Sequence, residues 1–97
     1  MARPPRQLEL SGLPGAELIA AGIEDLDRGV ESEEALLVSI GAPRLEGIGL
    51  RISSPLSSPE LRLYQLLAAD DPDAAHSRYN ALVRRLISFE QAAECAS

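Results

Sequence analysis

The chain has 97 residues and a net charge of −6, from nine basic and fifteen acidic side chains, with a single histidine. That length fits one domain with one modest core, and the negative balance argues against general nucleic-acid binding, which needs a positive field to displace counterions. All nine basic residues are arginine, which excludes Schiff-base lysine chemistry, lysine acid/base catalysis and a lysine-bearing phosphate loop.

Hydrophobic residues make up 45% of the chain but aromatics only 3%, namely Tyr64, Tyr79 and Phe89. Leucine and alanine dominate, and both lose little freedom in a helix, so the expected class is all-α. Residues 1–10 lack the apolar stretch of a signal peptide, and no apolar run approaches a membrane span. The lone Cys95 has no internal disulfide partner and there is no cysteine cluster for structural zinc, so a cytoplasmic setting without metal or cofactor is expected.

Residues 1–13, with adjacent prolines and a closing Ser-Gly-Leu, read as a flexible N-terminal arm, and residues 14–97 as a single helical domain. A first helix is predicted to begin near Pro14. Leu18, Ile19, Gly22, Ile23, Leu26 and Val30 recur at helical spacing, with Glu17, Glu24, Asp25 and Asp27 facing away. Gly29 supplies a stop, and Gly22 inside the stripe points to close helix packing. Ser32 is predicted to cap a second helix with Glu33 and Glu34 in its first turn. Its Ala35, Leu36, Leu37, Val38 and Ile40 are too apolar for a surface face, which marks it as the most buried element. Gly41 and Pro43 end or kink it.

Residues 44–58 read as an irregular middle loop. Ile48, Leu50 and Ile52 alternate with Gly49 and Arg51 as in a strand, but no partner strand is evident. Ser58 as cap, with Pro59 at the first helical position and Glu60 next, marks the start of a third helix, expected to be buried over a wide arc by Leu61, Leu63, Tyr64, Leu66 and Leu67. Asp70 and Asp71 end it, and Asp71-Pro72-Asp73 starts a fourth helix over about 72–94, roughly 34 Å long. Ala75, Tyr79, Leu82, Leu86, Phe89 and Ala93 alternate steps of four and three along it, the seam of a coiled-coil-like packing, widened by Val83 and Ile87. The expected architecture is a small four-helix bundle-like domain with an irregular middle loop.

Two constellations stand out, both on the last helix. Asp73, His76, Asn80 and Arg84 share a face and read either as a solvated polar stripe or as part of a small catalytic or ligand-binding cleft around His76, Asn80 and Arg84. One histidine without a cysteine cluster makes a poor zinc or iron site. Helical ribonucleases of the HEPN type carry arginine before histidine on one helix; here His76 precedes Arg78 and Arg84, so that resemblance is declined. The second constellation is charge segregation. Residues 7–73 hold thirteen acids and four arginines, whereas Ala74 to Phe89 contain no acid but Arg78, Arg84 and Arg85. Such a basic stripe would pair with the acidic first helix, in the same chain or in another copy, or with a phosphate group.

The candidate interaction residues are therefore His76, Arg78, Tyr79, Asn80, Arg84, Arg85, Leu86 and Phe89. The expected function is a non-enzymatic, self-associating interaction module, a homodimer in its simplest form. A basic protein is the other partner that the acidic charge would suit.

Overall fold

The computed structural model describes residues 12–96, and the expected arm over residues 1–13 lies almost wholly outside them. The described residues form five helices and no strand: α1 (Ala16–Asp27), α2 (Glu33–Ile40), α3 (Ala42–Gly47), α4 (Pro59–Asp70) and α5 (Ala75–Ala96). The protein is all-α. None of these helices is long and apolar enough to cross a membrane.

Helix α1 starts from Gly15, whose φ of 78° places it in the left-handed region that glycine adopts without penalty. Ile19, Gly22 and Leu26 form its buried stripe, with Leu18 and Ile23 on the flanks. The predicted stop at Gly29 is present: φ is 72°, the Gly29 N–H donates to the Leu26 carbonyl, and the Val30 N–H donates to that of Asp25 at 2.8 Å. Those two bonds satisfy carbonyls that the helix end would otherwise leave open. Val30 falls beyond this stop and is exposed, so it does not continue the apolar stripe. Asp25 also departs from expectation. Rather than facing solvent, it is half-buried and accepts a 2.6 Å hydrogen bond from the Ser32 hydroxyl.

Ser32 in turn accepts from the Ala35 N–H at 3.0 Å, the capping role predicted for it. Helix α2 is the centre of the fold: Ala35, Leu36, Leu37 and Val38 are fully buried, and α1, α3, α4 and α5 all pack on it. Gly22 allows α1 to approach it closely, because a Cβ at that position would stand 2.3 Å from the Glu34 carbonyl oxygen and 2.4 Å from Val38 Cγ2. Ser39, also buried, donates to the Ala35 carbonyl and accepts from the Leu56 N–H at 2.9 Å. That second bond fastens the middle segment to the core.

The middle segment needs one correction. Its beginning is helical rather than extended, because Gly41 bends the chain and Pro43 then occupies a first-turn position of α3. Only residues 48–58 are irregular. There Ile52 is buried while Ile48, Leu50 and Leu56 are half-buried, so the alternation packs against helices instead of a partner strand.

At α4 two expectations fail. Ser58 makes no side-chain cap, since its left-handed backbone (φ 46°, ψ 50°) departs from the extended geometry a capping serine needs. The buried arc is also narrow: Leu63 and Leu67 are enclosed, but Leu61, Tyr64 and Leu66 are exposed, because α4 packs on α2 and α5 and is open on its remaining sides. Asp71 then accepts from the Ala74 N–H through its side chain at 3.3 Å. Residues 72–74 form a turn rather than helix, and α5 begins at Ala75. Its seam is used inside the chain: Ala75, Leu86, Phe89 and Ala93 are buried, with Tyr79 and Leu82 half-buried.

Candidate interaction surface

The eight candidate residues divide among three environments. Leu86 and Phe89 belong to the core and are unavailable to a partner; this corrects their assignment to a surface. An amphipathic stripe has the same sequence pattern whether its cover comes from the same chain or another, and here it comes from the same chain.

Arg78 and Tyr79 lie at the junction of α4 and α5. Arg78 donates to Asp70 Oδ2 at 2.8 Å and to Glu33 Oε2 at 3.2 Å, so one guanidinium ties α5 to both α4 and α2. The basic stripe is thus paired within the chain at this position, but with acids of α4 and α2 rather than of the first helix. Tyr79 faces Tyr64 with ring centroids 5.9 Å apart and planes tilted by 57°, a favourable edge-to-face type of contact. Burial and then the nearby Glu60 carboxylate push the Tyr79 hydroxyl above the ordinary tyrosine range.

His76, Asn80, Arg84 and Arg85 form the third set, and all four are exposed. His76 Nε2 and Asn80 Nδ2 are 3.2 Å apart, so these two do meet, but on the solvent side of α5 rather than in an enclosed cleft. Among the described residues, neither Arg84 nor Arg85 forms an ion pair, whereas Arg28, Arg44, Arg62 and Arg78 each do. No group of three or more His, Cys, Asp or Glu among the described residues is placed to hold a metal ion.

Two features escaped the sequence pattern. The first is the apolar surface of the hairpin: Leu61 is 59% exposed, and Tyr64 and Leu66 on α4 and Ile87 on α5 are also open to solvent. A signal for it exists, because five large apolar residues between 61 and 67 span more of a helix circumference than a surface helix can cover. The second is Glu90, a carboxylate inside the seam. Arg44 of α3 reaches across to it at 3.8 Å and donates to Glu94 one turn further along, at 2.8 and 3.0 Å.

No family model, curated protein or solved structure matches this chain.

Proposed function

We propose that the protein is a non-enzymatic interaction module that self-associates through the solvent-facing side of the α4–α5 hairpin. The observation that carries this reading is the exposure of Leu61, Tyr64, Leu66 and Ile87 on two adjoining helices of a small acidic chain. Large apolar side chains left open to solvent on adjoining helices are available to a partner that would cover them.

Charge supports a second copy as the occupant. Arg84 and Arg85 stand free on α5, and α1 presents Glu17, Glu24 and Asp27 to solvent. Two copies would bring opposite charges together around the apolar centre, an arrangement that guides register and excludes wrong partners. The setting proposed is the cytoplasm, where the exposed Cys95 stays a thiol.

Sedimentation or light scattering at micromolar concentration tests the reading. The expected mass is at least twice that of the 10.4 kDa chain. Replacing Leu61 and Leu66 together with aspartate is expected to give a monomer with unchanged helical circular dichroism. A wild-type protein that runs as a monomer overturns the proposal.

A further inference from the structure

Glu90 is the one charged residue in the core of the described structure, 3% exposed, on the same face of α5 as Leu86 and Phe89. Its carboxylate lies against the α2–α3 corner: a Cβ placed on Gly41 would stand 2.7 Å from Glu90 Oε2 and 2.9 Å from Leu86 Cδ1. The cation that faces it is Arg44 of α3, at an ion-pair distance of 3.8 Å that is too long for a hydrogen bond. The short hydrogen bonds of that guanidinium go to Glu94, which lies near the surface. The deeper carboxylate therefore has the weaker share of the only cation facing it among the described residues. A buried charge is tolerated when it is both paired and hydrogen-bonded, and this one is only loosely paired.

The element opposite Glu90 is slight. Helix α3 has six residues, and its apolar anchorage is Ala42 and Leu45. We propose that Glu90 is a proton-operated latch on this corner: protonated, it holds α3 closed against α5, and ionised, it favours release of α3 to water.

The charged groups facing Glu90 set the direction. Desolvation raises the acid above its ordinary value, Arg44 from α3 opposes that, and Glu94 on α5 adds to it. A carboxyl whose closed-state pKa lies above its open-state value keeps the closed state fully favoured below the open-state value, near 4.5. That advantage is lost as pH rises through the closed-state value. Within this window one proton is released per opening, so the opening constant rises by up to about tenfold per pH unit. Above the window it levels off.

Native-state hydrogen exchange, corrected for intrinsic rates, reads the latch directly. The amides of residues 42–50 are expected to lose protection severalfold between pH 4.5 and 7, while those of α2 keep theirs. In Glu90→Gln, which cannot ionise, their protection should stay high and flat with pH. Equal pH dependence in wild type and Glu90→Gln overturns the proposal, as does a flat profile in wild type. Should Glu90→Gln fail to fold, carboxyl carbon NMR of the wild-type chain decides. A Glu90 midpoint above the ordinary glutamate value supports the latch, and one at or below it overturns it.

Discussion

Gly22 of α1 lies so close to Glu34 of α2 that a methyl group on it would overlap the Glu34 carbonyl oxygen, at 2.3 Å. The obstacle is backbone, so it yields only if one helix moves off the other. Gly22→Ala is expected to cost about 3 kcal/mol from overpacking. That outweighs the roughly 1 kcal/mol alanine gains over glycine in helix propensity. Gly47 is the control, since a Cβ there meets nothing within 4 Å and its φ is not positive. Gly47→Ala should leave stability unchanged or raise it by up to about 1 kcal/mol. Urea midpoints of the two variants should move in opposite directions or differ sharply, and two equal midpoints would refute the close-packing account.

Ser32 joins two helices with one hydroxyl, donating to Asp25 and accepting from Ala35. Ser32→Ala loses the cap of α2 and leaves the half-buried Asp25 carboxylate short of a donor. The expected cost is about 1–2 kcal/mol. Ser58→Ala is expected to cost far less, because Ser58 caps nothing through its side chain. Thermal melts of the pair test a contrast that the sequence alone gives the wrong way round, since Ser58 with its following proline carries the stronger start signal.

Tyr79 makes stability fall in alkali. Its folded-state pKa is raised above 10.0, first by burial and then by Glu60. For an acid shifted upward, the stabilisation is fully present below the unfolded value and is lost as pH rises through the folded one. Stability should therefore decline above about pH 10. In Tyr79→Phe that part of the decline should be missing, although the ring contact with Tyr64 is kept. Chemical denaturation at several pH values measures the difference, and parallel profiles for the two proteins would exclude Tyr79 as its source.

How far the sequence reached depends on what each feature needed. The Gly29 stop, the Ser32 cap and the burial of α2 are local or nearly so, because residue type and helical period alone specify them. Gly22 was legible for the same reason: a glycine inside an apolar stripe costs stability unless something approaches it. Features that depend on the rest of the fold were not legible. Whether Leu86 and Phe89 face another copy or α2 cannot be told from their spacing, and which side of α4 is left open depends on where α2 and α5 sit. Ser58 failed because its backbone is left-handed, a geometry that residue type and helical period do not specify. The charge segregation was legible as a pattern, but its division into a tied Arg78 and free Arg84 and Arg85 required the positions of Asp70 and Glu33.

That division separates two effects of charge. Arg78→Gln removes two partly exposed ion pairs and should cost up to about 1 kcal/mol of fold stability, diminishing with added salt. It should leave association unchanged, since its guanidinium is already engaged within the chain. Arg84→Glu with Arg85→Glu should do the reverse. Neither side chain holds the fold, so stability should move little, while the proposed contact with the acidic α1 of a second copy becomes repulsive. Two rim charges at about 0.5–1 kcal/mol each correspond to roughly a tenfold rise in Kd. Adding Glu17→Arg and Glu24→Arg to a second preparation and mixing it with the reversed-arginine chain should restore association. Sedimentation of each protein alone and of the mixture measures this. If the mixture stays monomeric while the wild type associates, Arg84 and Arg85 do not face the acids of α1. If the reversed-arginine chain alone associates as the wild type does, the arginines lie outside the interface, and the exposed apolar residues of α4 and α5 must account for it.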